Sequence, residues 1–528
     1  MSRPDARYAY AYAVCAEPPA GLSRGRPEVI DWPGRAASSG PPSPRGPREP
    51  YVRRSSMNLP DKGRDTGELL AEIARMKEAD LPVRGGKVTA YVYDTGRPEV
   101  HEAAARAYAE MLEVNTLDPT AFPSVVEMER QVVGAVADLL GGGTGIFTSG
   151  GTESIMLAVK AARDSRPVAG RPRMVVPVTA HPAFHKAAHY LGVAVDAAPV
   201  DPVTFRADAA ATEAAITDDT VLVVVSAPSY PQGVVDPVGR IAGSAAARGV
   251  LCHVDACVGG WLLPWLREAG AEVPPFDLSV PGVTSLSCDL HKFGYSPKGA
   301  SVVLFADPAL RRAAYFASAS WPGYTVINAT VQSSKSAGPL GGAWATLQAL
   351  GREGYLELGR ATLAAAHRLR EGVAAVPGLR LLGAPESSLV AFASDEIDVF
   401  TLSDEARRRG WFLQPQLSYA GIPANIHVTV TGVTLRGVEA MLQVIAESAA
   451  AARERGPVRL PEGLVELVAG LDLEALDDAA FGELAASVGV DLNGSGQPEM
   501  AVVNAVLDAL PADRREAVLI RFLSVIYS

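Results

Sequence analysis

Apolar residues recur every three or four positions in "TGELLAEIARMKEAD", "EVHEAAARAYAEML" and "SVVEMERQVVGAVADLL", a spacing that places them on one face of a helix. The third stretch is stopped by the glycines of "GGGTG". From there the rhythm changes. Short, continuous apolar runs, "RMVVPV", "TVLVVVSAP", "GVLCHVDA", "VTSLSCD" and "ASVVLFA", alternate with alanine-rich helical stretches. Apolar runs without polar alternation are strands buried on both faces, and strands separated by helices predict an α/β domain with a mostly parallel sheet. Ligands of such sheets gather at the carboxyl ends of the strands. After about residue 370 the pattern resets to helix, then "SSLVAFAS", a further helix and "NIHVTVTG", which predicts a second, smaller α/β domain. "MAVVNAVLDAL" and "EAVLIRFLSVIYS" close the chain with helical periodicity.

These changes of rhythm divide the chain into a leader at 1–56, an N-terminal helical segment at 57–114, a large domain at 115–370, a small C-terminal domain at 371–455 and a helical extension at 456–528. The leader holds ten prolines, five glycines, nine arginines and no lysine, with no sustained apolar period. That composition predicts disorder, and Met57 stands where the functional chain is expected to begin.

A length of 528 residues with 48% hydrophobic and 20% charged side chains predicts a globular protein of more than one unit. Its net charge of −11 offers no basic field to nucleic acid or to an anionic membrane, so a small-molecule ligand is expected. No apolar run approaches the roughly 20 residues of a membrane span. Cys15, Cys252, Cys257 and Cys288 have no metal-type spacing and are too few for a disulfide framework, which points to the cytoplasm.

Four stretches carry candidate chemistry. In "FTSGGTESIMLAVKAARD" a strand end passes through a Ser/Gly/Thr turn into a helix; free amides and the positive helix end meet there, and Gly150, Gly151 and Thr152 are small enough to let a phosphate approach. Ordinary helix capping is the plainer reading. In "TAHPAFHKAAHY" His181 sits before a proline where it could stack on a flat ring, while His185 and His189 follow at helical spacing without the glutamate or third ligand of a zinc site. "LCHVDACVGGW" ends a strand on Asp255, a cap or the partner of a protonated pyridine nitrogen. "CDLHKFGYSPKG" places Lys292 at the end of an apolar run, where desolvation is expected to ease loss of its proton and permit Schiff-base attachment of an aldehyde cofactor.

The order phosphate turn, histidine, acidic strand end and His-Lys resembles the fold-type I pyridoxal phosphate (PLP) enzymes of the group II decarboxylase superfamily. Within it, "SAPSYPQGVVDPV", "HVDACVGGW" and "DLHKFGYSPKGASVVLF" are most similar to the sphingosine-1-phosphate lyases over about residues 85–450. The resemblance implies a PLP transferase-like fold and a homodimer. It assigns Lys292 to the covalent link with pyridoxal 5'-phosphate, Asp255 to the ring nitrogen, His181 to one ring face and Cys257 to the other. Gly150, Gly151, Thr152 and His291 would serve the cofactor phosphate, and Lys298 of "YSPKG" the substrate phosphate. Tyr91 and Tyr295 are further candidate substrate contacts.

Two departures bear on the reaction. Where the lyases carry a histidine in "NPLHPDIFP"-like text this chain reads "NTLDPTAFP", and the carboxylate of Asp118 would repel a phosphate; glutamate decarboxylases share that aspartate. "SSKSAGPLGG" also lacks the lyases' arginine. The expectation is therefore a PLP-dependent carbon–carbon lyase acting on a 3-hydroxy amine, with an amino-acid decarboxylase as the rival and a PLP-binding protein without turnover as a third reading.

Overall fold

The computed structural model describes residues 59–473, 475–487 and 499–527. The leader at 1–56 lies outside the described residues. The chain divides into two units, Met1–Thr66 and Gly67–Ser528, and all three sheets among the described residues belong to the second.

Three helices come first, α1 (Thr66–Met76), α2 (Pro98–Glu110) and α3 (Pro123–Leu139), the last two opened by a proline whose missing N–H costs nothing in a first turn. The large sheet then builds from β1 (Thr144–Thr148), β2 (Arg173–Pro177), β3 (Ala194–Ala198), β4 (Thr220–Ser226), β5 (Leu251–Asp255), β6 (Ser285–Cys288) and β7 (Ser301–Phe305). Between them run α4 (Gly151–Ser165), α5 (Ala183–Leu191), α6 (Ala209–Ala214), α7 (Val238–Ala247) and α8 (Leu263–Glu268). The strand order is β1-β7-β6-β5-β4-β2-β3; β7 is antiparallel to both neighbours and every other pairing is parallel. The mostly parallel sheet expected from the unbroken apolar runs is thus present. All seven residues of β4 are buried, and each of its enclosed valines contributes roughly 1.5–3 kcal/mol.

Beyond α9 (Pro308–Ala314) a two-stranded ribbon, β8 (Phe316–Ser318) and β9 (Val326–Asn328), leads to α10 (Gly338–Ala374). This long helix is broken at Gly351, whose φ of 56° suits glycine alone among ordinary residues. A second sheet of four antiparallel strands follows, ordered β10 (Arg380–Leu381), β11 (Leu389–Ala393), β13 (Asn425–Thr429) and β12 (Gln414–Gln416). Its core, with Val390, Phe392 and Val428, is closed by Leu369 of α10, Leu402 of α11 (Val399–Arg408) and Ile445 of α12 (Val438–Arg455). The described C-terminal helices are α13 (Leu464–Gly470), α14 (Asp478–Ser487), α15 (Met500–Ala509) and α16 (Ala512–Ile526).

Two connections bring the second sheet to the first. Arg206 donates to the carbonyl of Val235 and pairs with Glu386, whose other oxygen accepts from Val235 N at 3.1 Å. The segment before α2 joins Phe412 through Thr89 N to Phe412 O at 3.1 Å and Phe412 N to Lys87 O at 2.9 Å.

Candidate active site

A cavity of about 590 Å³ opens at the carboxyl ends of β4 and β5, beside the amino end of α4. Among its walls are Gly150, Gly151, Thr152, His181, Asp255, Cys257, His291, Lys292 and Lys298, residues spread over 149 positions of sequence. The sheet explains the convergence: β1, β2, β4, β5 and β6 each hand their last residue, or the turn after it, to the same edge.

At the first wall, no side chain caps α4, so the amides of its opening turn face the cavity. Glu153 is buried and holds the turn from behind, accepting from Ser149 N at 2.7 Å and from Val331 N at 2.8 Å. A Cβ at position 151 would stand 2.6 Å from Cys257 Sγ and 2.9 Å from both oxygens of Asp289, so only glycine fits. At the floor, Asp255 is buried at the end of β5 and its Oδ1 accepts from Cys257 N at 3.1 Å. Burial pushes the Cys257 thiol well up, which keeps it an unreactive wall. His181 Nδ1 accepts from Ala183 N at 3.2 Å, which orients its ring; burial lowers its pKa against the opposing pull of Asp255.

The turn after β6 carries both lysines. Lys292 Nζ lies 2.9 Å from Asp289 Oδ2. Burial alone would lower its pKa, as expected from the sequence, yet Asp289, then Cys257, Tyr93 and Asp255, outweigh burial and the net shift is upward. The expectation of an easily deprotonated Lys292 is corrected on that point: an ion pair overrides desolvation. Lys298 moves the opposite way, lowered by burial and by repulsion from Lys292. Its Nζ donates to Tyr91 O at 2.9 Å and to His291 O at 3.4 Å, and lies 5.0 Å from the centre of the Tyr93 ring.

These walls fit pyridoxal 5'-phosphate. An uncapped helix end for an anion, a glycine that any side chain would displace, a buried carboxylate and an amine face one space of suitable size. Residues 90–394 match the model described as "Pyridoxal-dependent decarboxylase conserved domain". The chain belongs to the pyridoxal-dependent decarboxylase family. It is a PLP-dependent lyase. The sphingosine-1-phosphate lyase of Dictyostelium discoideum is 38% identical over 72% of this chain and 72% of its own. The structure of the Burkholderia pseudomallei sphingosine-1-phosphate lyase superposes with a TM-score of 0.71 at 36% identity, over 76% of this chain and 94% of that one. A "Probable L-tyrosine/L-aspartate decarboxylase" of Methanothermobacter thermautotrophicus is 32% identical over 62% of this chain and 89% of its own. Residues 462–525 match a second description, "Pyridoxal-dependent enzyme, C-terminal putative HTH domain".

In this decarboxylase-family enzyme not every candidate reaches the cavity. Tyr91 does, 61% exposed, with its hydroxyl accepting from Gln414 Nε2 at 3.0 Å. Tyr295 faces away, packing edge-on against Phe293, and burial raises its pKa. Asp118 is exposed in the turn before α3, where Oδ1 accepts from Thr120 N at 2.8 Å, Thr120 Oγ1 at 2.6 Å and Ala121 N at 3.2 Å; these bonds lower its pKa. His185 and His189 lie exposed on α5.

Among the wall residues that carried no flag in the sequence are Asp289, Tyr230, Tyr93 and Gln414. Asp289 sits inside the quoted "CDLHK" and Tyr230 inside "SAPSYPQG", so proximity to named residues was the available signal. Tyr93, pushed up to about 12 mainly by burial, and Gln414 arrive from segments far away in sequence. Gln414 Oε1 accepts from Tyr230 OH at 2.7 Å, so one amide joins Tyr91 to Tyr230, and Tyr230 in turn stacks on His427 at 4.3 Å.

Proposed function

We propose that this lyase cleaves the bond between the amine-bearing and hydroxyl-bearing carbons of a phosphorylated 3-hydroxy amine, releasing an aldehyde. The observation that carries the reading is that Lys298 shares the cavity with Lys292, with two of its donors held by carbonyls and its charge directed to the rim. Bound pyridoxal 5'-phosphate supplies the sink for the electron pair of the broken bond. Lys292 is placed to hold it covalently and, when free, would be the group at hand to carry a proton. Asp255 would hold a proton at the ring nitrogen. His181 would cover one ring face and Cys257 the other, while Gly150, Gly151, Thr152 and His291 would hold the phosphate.

One observation favours carbon dioxide release instead: Asp118 stands where the lyases carry histidine, and a decarboxylase is among the relatives. Measuring aldehyde and carbon dioxide in parallel, over phosphorylated 3-hydroxy amines and free amino acids, separates the two. Carbon dioxide without aldehyde overturns the first reading, and neither product leaves only PLP binding.

The enzyme is assigned a homodimer because Phe316, Tyr324, Ile327 and Val331, all on or beside the β8–β9 ribbon, are 54–68% exposed, a patch that a second copy would cover. A single-chain mass by light scattering would refute this. A cytoplasmic location is supported by the buried free thiols of Cys252, Cys257 and Cys288 and is testable by fractionation. No helix among the described residues is long and apolar enough to cross a membrane. No nucleic acid is assigned to the C-terminal helices. Residues 462–525 hold twelve acidic and three basic side chains, and each arginine is engaged internally: Arg514 on Leu471 O, Arg515 on Asp508 O and Arg521 on Asp478. Retention of the enzyme on a DNA or RNA column at physiological salt would overturn that assignment.

A further inference from the structure

Asp289 lies three residues before Lys292 and is 2% exposed. Its Oδ2 stands 2.9 Å from Lys292 Nζ and 3.6 Å from His291 Nε2. A carboxylate so enclosed is costly unless a charge answers it, and breaking such a pair leaves the survivor stranded. Packing fixes its place: it lies against Gly151, at the positive end of α4, where a side chain at 151 would collide with both its oxygens.

Other ionisable groups also face Lys292. Lys298 and His291 share its turn, Asp255 ends β5 and Cys257 follows it, Tyr93 comes from the segment before α2, and His181 precedes α5. Asp289 is the carboxylate in direct contact, and its charge does most to hold the amine protonated against burial.

We propose that Asp289 is a positioning residue that seats Lys292 as its ammonium whenever the lysine is not bonded to the cofactor, so that a proton must be drawn off to solvent before the lysine can bond. This rests on the reading that Lys292 is the lysine bonded to PLP. The balance is direct. The ammonium gives one proton to hydroxide from solvent, which leaves as water, and Asp289 stays ionised. The neutral nitrogen then forms a bond to the aldehyde carbon, and the aldehyde oxygen departs as water with the two hydrogens left on nitrogen. Asp289 therefore sets the pH at which the protein can be loaded.

The test uses cofactor-free protein, exposed separately to pyridoxal 5'-phosphate and to pyridoxal between pH 6 and 11. Borohydride trapping at fixed times is followed by peptide mass analysis of Lys292. In the wild type the trapping rate should still be rising above pH 10.4, an ordinary lysine's midpoint. Asp289→Asn should lower the midpoint by at least about one pH unit with both aldehydes, making trapping at neutral pH roughly tenfold faster or more. Asp289→Glu should behave as wild type. A wild-type midpoint at or below that of an ordinary lysine overturns the proposal, even if Asp289→Asn does not fold. So does an unchanged midpoint in Asp289→Asn, or a shift confined to pyridoxal 5'-phosphate, which would mean that the carboxylate acts on the phosphate instead. Trapping in the wild type at a lysine other than Lys292 would instead overturn the reading of the cofactor site on which the proposal stands.

Discussion

Replacing Lys298 by methionine keeps the length of the side chain and removes its charge. The ammonium lies at the rim, spends two donors on Tyr91 O and His291 O, and retains a third for a substrate anion. A charge-assisted hydrogen bond is worth about 1.5–3 kcal/mol, and exposure at the rim places this one near the lower bound. About 1.4 kcal/mol corresponds to tenfold, so Lys298→Met should lower kcat/KM for a phosphorylated 3-hydroxy amine by roughly tenfold, and by up to roughly a hundredfold if the cavity dries on substrate binding. The dephosphorylated analogue should lose at most about twofold. Lys298→Arg should recover part of the loss. Stopped-time aldehyde release with both substrates gives the comparison, and the visible spectrum of bound cofactor checks that the site is otherwise intact. Equal losses for both substrates would refute the reasoning, because they would locate the effect in the bonds to Tyr91 and His291 rather than in a phosphate contact.

Lys292→Ala should fold yet lose the visible absorption of covalently held cofactor; a borohydride-stable adduct at another lysine would contradict the assignment. Asp255→Ala should reduce turnover by at least about a hundredfold while retaining cofactor, read as kcat against bound PLP by absorbance; near-normal turnover would remove Asp255 from the chemistry. Gly151→Ala must displace Cys257 or Asp289 and should lower both thermal stability and PLP affinity, by roughly 1–3 kcal/mol of folding stability, measured by calorimetry and cofactor titration. His253 and His427 are buried and neutral, each with its pKa lowered to about 4 by burial. Below about 6.5 the unfolded chain binds protons that the native state refuses, so stability should fall as pH drops from 6.5 toward 4. Urea unfolding at pH 7 and pH 5 checks this, and His253→Gln should flatten the dependence.

Much of the fold was legible because a sheet covered on both faces leaves unbroken apolar runs, as in "TVLVVVSAP". The glycine turn, His181, Asp255 and the His-Lys pair were legible for a related reason: each ends a strand or begins a helix, and the topology of the sheet sends those ends to one place. What could not be read was anything set by how individual side chains pair once the chain is folded. The state of Lys292 depends on an ion pair inside its own turn, whereas the sequence displays only an amine entering an apolar setting. Tyr295, a candidate substrate contact, packs edge-on against Phe293 instead of lining the cavity. Gln414 could not be anticipated at all, since its place depends on how the second sheet meets the first.

That single amide has a practical consequence for redesign. The family match ends at residue 394, and all residues assigned to the cofactor precede it, while the group tethering both rim tyrosines follows it. Cofactor chemistry and entrance geometry are thus encoded in separable stretches of the gene. A library confined to codons 412–416 would vary what the mouth admits without altering a residue assigned to the cofactor.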